Sequence, residues 1–245
     1  MRIRRRPAYH GRVPSRILVT GFLPFSPHAA NPSESIVRRL AAAPPPGVRL
    51  TTLVLPVVYG RAVGPVQEAL DRGDIDVVLH LGLAAGRQAL SFERFAVNWR
   101  GGASADESGL RLDGEPIDPA GPAAYLATIP VDRLVATCRA AGVPAEGSSH
   151  AGTVLCNQGL YQTLRYADVL GLPLRAGFLH LPEPRSGPDD TRPDDEALAR
   201  GVAAAVRLLA GLPRPRRPAA GRSERRGTPA RLGRPTRSRR GRGKG

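Results

Sequence analysis

The sequence predicts one α/β domain in which a mainly parallel sheet lies between helices. Short β-type runs alternate with helical patterns through the central part of the chain, and this alternation is typical of α/β proteins. Several β-type runs are largely apolar throughout rather than alternating, as expected for strands that are covered on both faces. The helical patterns begin and end with residue types that favour helix termini.

Apolar runs mark the predicted strands. They are RILVT (16–20), LTTLVLP (50–56), DVVLHLG (76–82), AGTVL (151–155) and AGFLHLP (176–182). Because the carboxyl ends of parallel strands line the ligand crevice of such sheets, residues near the ends of these runs are candidates for a site.

Helical patterns fill the segments between the runs. They are NPSESIVRRLAAA, GRAVGPVQEALDRG, AAYLATIPVDRLVATCRAAG, LYQTLRYADVLG and DDEALARGVAAAVRLLAG. In the first, Pro32 suits the first turn and Ser33 is a possible cap. The third predicts two helical pieces broken at Pro130. Residues 99–120 are predicted to form a loop with a small hairpin.

The basic charge lies at the two ends of the chain. Residues 1–15 carry five Arg and no acid, and residues 213–245 carry 13 Lys or Arg against the single Glu224. The ends therefore hold +5 and +12 of the net +15, and residues 16–212 are left with about −2. We therefore expect a basic leader (1–15), a catalytic domain (16–212) and a tail rich in Arg, Pro and Gly (213–245).

The composition of the tail predicts disorder, because too few of its residues are apolar to offset the entropy of ordering it. An Arg-rich arm can bind nucleic acid electrostatically. An unselected, solvated extension is the favoured interpretation, since no aromatic residue is interleaved to stack on bases.

Other features of the sequence indicate a cytoplasmic protein without disulfides. No apolar run reaches the roughly 18 residues that span a bilayer, and no apolar segment of a signal peptide follows the leader. Two cysteines cannot form a disulfide framework. Cys138 stands in a helical pattern and is predicted to be a small buried residue.

The other cysteine, Cys156, stands in SSHAGTVLCNQGLY (148–161), where a predicted strand gives way to the first turn of a predicted helix. A helix N-terminus offers unpaired N–H groups and a partial positive charge. Both favour the thiolate, which is the nucleophile, and the N–H groups near Asn157 and Gln158 can face an oxyanion. The plain alternative is a small buried residue.

A thiolate nucleophile needs an imidazole partner, and His80 and His180 both lie near the ends of apolar runs. Glu93, in ALSFERFAVN, stands among apolar neighbours, where an acid needs a partner. The residues alone do not choose between the histidines. Structural alternatives also stay open: a histidine satisfied in the core, and Glu93 paired with Arg94 or Arg87 at the surface.

Four segments, in order and spacing, resemble motifs of the pyrrolidone-carboxylate peptidases, also called pyroglutamyl peptidase I. ILVTGFLPFSPHAANPS (17–33) resembles the N-terminal segment of this family, and GLAAGRQALSFERFAVN (82–98) its glutamate motif. SSHAGTVLCNQGLY resembles its cysteine motif and AGFLHLP its histidine strand. The likeness covers about residues 16–211, and the terminal arms have no counterpart in it.

The resemblance implies a cysteine exopeptidase that removes an N-terminal pyroglutamyl residue from peptides through an acyl-enzyme. It implies Cys156 as nucleophile, His180 as general base and then acid, and Glu93 as the group that holds the imidazole. Phe22 and Phe25 match residues that contact the flat lactam ring. Ordinary core aromatics are the alternative for both.

Further implications concern the pocket, the fold and the assembly. Asn31 matches a polar residue near the pocket, or caps the helix before Pro32, and Leu83 matches a position that binds substrate mainly through its backbone. The family has a three-layer α/β/α sandwich around a mainly parallel twisted sheet, is cytosolic and commonly homotetrameric, and needs no metal or cofactor.

Departures from the family pattern cluster around the expected site and indicate a divergent member. Leu83 replaces Gln, Gln158 replaces His, and Ala103 stands where the family has an Arg near the reactive centre. PEPRSGPDD also replaces a more hydrophobic segment after the histidine strand. The alternative function is therefore a catalytically weak homologue that binds N-blocked peptides or, through its arms, nucleic acid.

Overall fold

The structure is a computed structural model that describes residues 15–102 and 105–216. The predictions for the leader and the tail therefore fall almost entirely outside the described residues. None of the described helices is both long and apolar enough to cross a membrane.

A six-stranded sheet forms the centre of the described part of the chain, with strand order β2-β1-β3-β8-β4-β7. Neighbouring strands are parallel except β4 and β8, which are antiparallel. Two short strands, β5 and β6, form a separate antiparallel pair. The strands are β1 (Arg16–Phe22), β2 (Arg49–Leu55), β3 (Val77–Leu83), β4 (Leu90–Glu93), β5 (Phe95–Val97), β6 (Ala124–Leu126), β7 (Ala145–Ser148) and β8 (Arg175–Leu181).

Helices cover both faces of the sheet, as the apolar character of the central strands predicts. They are α1 (Pro32–Ala42), α2 (Gly64–Asp71), α3 (Val131–Ala140), α4 (Leu155–Leu170) and α5 (Asp195–Ala210). One hydrophobic core lies between the sheet and α1, α3 and α5, and a second lies between the sheet and α2 and α4. The predicted three-layer α/β/α sandwich is confirmed, and Cys138 is buried in the first core as expected.

The predicted strand at 151–155 is wrong. The strand in this part of the sheet is β7, and the apolar run that follows it is a loop that ends where α4 begins. Gly152 has a positive φ of 80°, and Thr153 exchanges hydrogen bonds with the backbone of Gly101. The run is apolar because it borders the cavity described below, with Val154 and Leu155 in its lining.

Two further predictions are corrected: the helix before Pro130 and the cap of α1. The first of the two helical pieces around Pro130 is instead β6, which pairs with β5, and only the piece after Pro130 is helical. The ALSFERFAVN segment contains β4 and β5. Helix α1 begins with Pro32, as predicted, but Asn31 rather than Ser33 is its cap and accepts a hydrogen bond from the Ser33 N–H.

His80 lies within β3 and is satisfied in the core. Its Nδ1 is 2.8 Å from Thr20 Oγ1, and its Nε2 is 3.0 Å from Thr163 Oγ1. Burial lowers the pKa of His80 to about 4, because an apolar environment disfavours the charged form.

His80 should make the protein less stable in acid. Its pKa is about 4 when folded and about 6.5 when unfolded, so the unfolded state binds more protons between these values. The contribution is complete above pH 6.5 and is lost as the pH falls toward 4, by about 3 kcal/mol in total. We expect urea unfolding of His80→Gln to show a smaller loss of stability from pH 7.5 to pH 5 than the parent. An equal loss in both proteins would contradict this assignment.

Candidate active site

The register of the sheet brings Glu93 and His180 to one face. In the antiparallel pair of β4 and β8, Ser91 lies opposite His180 and Glu93 lies opposite Phe178. Glu93 and His180 are therefore diagonal neighbours on the same face, a spacing that long side chains can bridge. On the other side of β8, the parallel register sets Gly82 of β3 beside His180.

His180 and Glu93 form a buried hydrogen bond. His180 Nδ1 is 2.7 Å from Glu93 Oε1, and Glu93 is 0% exposed. The bond to Nδ1 leaves Nε2 of the imidazole for another partner. Of the two histidines that the sequence left open, this one is joined to the acid, whereas His80 is occupied by two threonines.

Cys156 is the second residue of α4 and is partly exposed. Its sulfur lies over Gly82, where an added Cβ would be 3.2 Å from Sγ and 2.7 Å from Phe178 Cζ. A side chain at position 82 would therefore collide with the Phe178 ring and crowd the sulfur. Glycine allows the close approach of α4 to β3, which sets Cys156 beside His180 and lets it raise the pKa of the imidazole.

Asn157 anchors the first turn of α4, a role that the sequence analysis missed. Its side chain accepts from Val97 N and donates to Val97 O and Trp99 O, each at 2.9 Å. The Cys–Asn dipeptide of the cysteine motif was the available signal. Val154 is the N-cap of α4, and its side chain makes no capping hydrogen bond. The first N–H groups of the helix therefore have no acceptor from the side chain of the N-cap residue.

The charges of the cluster determine the protonation of His180. Burial by itself lowers the pKa of the imidazole. The charge and hydrogen bond of Cys156, followed by those of Glu93, offset burial and raise the pKa to about 9. This shift is the one expected for an imidazolium that pairs with a thiolate and a carboxylate.

A cavity of about 200 Å³ opens beside Cys156. All four residues that the sequence assigned to substrate binding line it, namely Phe22, Phe25, Asn31 and Leu83. Val57, Tyr59, Ala105, Asp106, Val154 and Leu155 complete the lining with Cys156. The lining is mostly apolar, so the cavity suits a small, flat group without a net charge.

Asn31 lines the cavity and also caps α1. Its amide donates to Leu23 O at 3.2 Å, and its carbonyl oxygen accepts from Ser33 N and Ser33 Oγ. These bonds fix the loop between Phe22 and α1. The two alternatives that the sequence left for this residue are therefore compatible.

Asp106 holds one wall of the cavity and was not identified from the sequence. Its carboxylate accepts from Tyr59 N at 2.7 Å, from Leu110 N at 3.0 Å and from both N and Oγ of Ser108. Burial opposes its ionisation, but these donors outweigh burial and lower the pKa of Asp106. Its position in the unpatterned 99–120 segment gave no periodic signal.

Two of the positions at which the sequence differs from the family pattern are Ala103 and Gln158. Ala103 lies outside the described residues. Arg100 and Arg87, which could take the place of the Arg missing there, pair with Glu115 and Glu93 and do not line the cavity. Gln158 is buried in α4 and donates to Gln162.

The segment after β8 reaches the loop that carries Phe25. Glu183 Oε1 is 3.0 Å from Nδ1 of His28, and the His28 ring packs edge-on against Phe25 at 5.1 Å. The divergent PEPRSGPDD segment therefore supports a cavity residue. Within residues 15–102 and 105–216, no group of three or more His, Cys, Asp or Glu is arranged to hold a metal ion.

Comparison with known proteins agrees with this geometry. The sequence model of the pyroglutamyl peptidase family matches residues 15–204. A pyrrolidone-carboxylate peptidase of Streptomyces coelicolor is 38% identical over 203 residues, covering 81% of this chain and 94% of that protein. One from Pyrococcus furiosus is 37% identical over 167 residues, covering 68% and 80%.

Solved structures of the family share the fold. A mutant pyrrolidone carboxyl peptidase from P. furiosus superimposes with a TM-score of 0.74 at 32% identity, covering 79% of this chain and 97% of that one. Pyroglutamyl peptidase I from Bacillus amyloliquefaciens gives a TM-score of 0.74 at 29% identity, covering 82% and 99%. The sequence match, the shared fold and the convergence of the motif residues lead to one conclusion: this chain belongs to the pyroglutamyl peptidase family of cysteine peptidases.

Proposed function

We propose that this protein hydrolyses the amide bond between an N-terminal pyroglutamyl residue and the rest of a peptide. The observation that carries the proposal is a cluster at the edge of a small apolar cavity, in which His180 is hydrogen-bonded to Glu93 and interacts with Cys156. Family membership supports the same reaction.

Acylation begins with attack of the Cys156 thiolate on the carbonyl carbon of the pyroglutamyl residue. The carbonyl π electrons move to oxygen, and the resulting oxyanion faces the N–H groups of the first turn of α4, where the helix dipole also favours negative charge. The intermediate collapses as the C–N bond breaks. His180 donates its proton to the departing amine and becomes neutral, while Glu93 holds the imidazole in orientation.

Deacylation uses the same groups in reverse order. Neutral His180 removes a proton from water, whose oxygen attacks the thioester carbonyl carbon. The C–S bond then breaks, pyroglutamate leaves, and the thiolate–imidazolium pair is restored. The reaction requires no redox step.

The cavity accounts for selection of the lactam. Pyroglutamate is flat and lacks a charged α-amine, so the side chains of Phe22 and Phe25 can cover its faces without burying a charge. The backbone at Leu83 and the amide of Asn31 are the proposed polar contacts. An ordinary N-terminal residue carries an ammonium group, which an apolar cavity of about 200 Å³ would have to desolvate.

Replacement of the nucleophile tests the reaction. Cys156→Ser should lower release of a fluorophore from its pyroglutamyl amide by at least about 10³-fold, because an alcohol is far less ionised than a thiol at neutral pH. His180→Ala should cause a comparable loss, whereas His80→Gln should retain most of the activity. Undetectable release by the folded parent protein would contradict the proposal, and loss of acylation in His80→Gln alone would contradict the assignment of the base.

The pH dependence of acylation follows from the raised pKa of His180. The ion pair needs a protonated imidazole, so kcat/KM should stay high at neutral pH and fall as the pH rises through about 9. Glu93→Gln should move this alkaline limb to lower pH, since it removes a negative charge that favours the imidazolium. A parent limb near 6.5, the value of an unperturbed histidine, would refute the ion pair.

The assembly and the cellular location are also part of the proposal. We infer a homo-oligomer, as the family resemblance implies, working in the cytoplasm. Phe95 and Leu126 on the pair of short strands are 37% and 64% exposed, so they offer an apolar contact surface for another copy. Light scattering of the purified chain should give a multiple of 26.0 kDa, and a monomer at micromolar concentration would contradict this inference.

A further inference from the structure

Arg87 lies in the loop between β3 and β4, beside the site but outside the cavity. Its Nη2 is 3.3 Å from Glu93 Oε1, the same oxygen that faces His180. Nη2 also donates to Ser148 Oγ at 2.9 Å and to His150 O at 3.2 Å. One guanidinium nitrogen therefore connects the buried acid to the start of the loop that leads from β7 to Cys156.

The negative charge of Glu93 needs a positive partner, and His180 is positively charged during only part of the proposed reaction. The acid is fully buried, and its Oε2 accepts no hydrogen bond from the described residues. In the proposed reaction, on which this inference rests, His180 loses its proton to the departing amine. An unpaired buried carboxylate is costly, so the neutral imidazole is accessible only where another cation faces Glu93.

Other charged groups around this cluster do not replace Arg87. Those that contact it are Glu146 on β7, His180 on β8 and, through His180, Cys156 on α4. Glu146 Oε1 lies 3.4 Å from Arg87 Nη1 and accepts from Ser91 Oγ. Glu146 is an anion, so it orients the guanidinium without supplying positive charge. Arg94, the next residue after Glu93, extends instead to Asp132, 2.5 Å away.

We propose that Arg87 is a positioning residue that balances the charge of the Glu93 carboxylate while the imidazole of His180 is neutral. Arg87 touches neither the cavity nor the sulfur in this arrangement, so it acts through Glu93. The guanidinium fork suits this role, since one side chain reaches a carboxylate, a hydroxyl and a carbonyl at once.

The sign of the effect follows from the charge of Arg87. A cation near His180 disfavours a second positive charge on the imidazole and favours the neutral form that deacylation needs. Without Arg87, His180 should hold its proton more tightly. Displacement of Glu93 alone would have the opposite effect, because it would remove a group that stabilises the imidazolium.

An NMR titration in the Cys156→Ser background measures this effect without catalysis. Histidine is labelled with ¹³C, and the His180 resonance is the one that disappears on His180→Gln. Arg87→Gln and Arg87→Met, which both remove the charge, should raise the pKa of His180 by at least about half a pH unit. Arg87→Lys, which keeps the charge, should stay within about 0.3 units of the parent.

Arg94→Gln is the matched control, because it removes an arginine from the neighbouring position without touching Glu93. It should leave the titration of His180 unchanged. An Arg87→Gln shift equal to that of Arg94→Gln, or a shift to lower pKa, would overturn the proposal. Failure of both charge-free variants to fold would also overturn it, since Arg87 would then be needed for stability.

Kinetics separates this inference from the proposed function. With a pyroglutamyl ester, for which deacylation limits turnover, the acid limb of kcat should move to higher pH in Arg87→Gln by the shift seen in the titration, and Arg87→Lys should restore it. If the parent releases no product, the proposed function fails, while the titration still decides the role of Arg87.

Discussion

The hydrogen bond between His180 and Glu93 is the interaction on which the rest of the site depends. It exists because β4 runs antiparallel to its neighbour β8 in an otherwise parallel sheet, which sets the acid diagonally across from the imidazole. A buried carboxylate and a buried imidazole are each unfavourable alone. Together they form a pair whose orientation is fixed by two strands, and a proposed proton carrier needs this rigidity.

A second constraint is the absence of a side chain at Gly82. The parallel register sets this residue beside His180, and Phe178 fills the space on the same face. Helix α4 can therefore approach the sheet closely enough for its second residue, Cys156, to interact with the imidazole. Asn157 holds the helix at this depth through the backbone of residues 97–99. Cys156 and His180 thus meet through the close packing of α4 on β3.

The two buried histidines on this face of the sheet differ in charge. His80 is neutral and satisfied by two threonines, as a core residue should be. Two residues further along the sheet, on the neighbouring strand β8, His180 is also buried but is held charged by its partners. The difference lies in the neighbours: hydroxyl groups around one imidazole, and a thiol and a carboxylate around the other. The unfavourable burial of charge occurs at His180 and its partners, where the proposed chemistry needs charged groups.

The sequence by itself determined the α/β class, the four longer strands β1, β2, β3 and β8, and the five described helices, because hydrophobic period and local residue type are read along the chain. The motif residues came from the family resemblance. It misassigned residues 151–155, since an apolar run that borders a cavity has the composition of a strand. Only the tertiary structure shows that His180 is hydrogen-bonded to Glu93 while His80 is occupied by two threonines. It also revealed the contacts of Asp106 and Arg87. Those outcomes depend on strand register and on contacts between residues far apart in sequence, such as Arg87 with Ser148, and no local pattern encodes them.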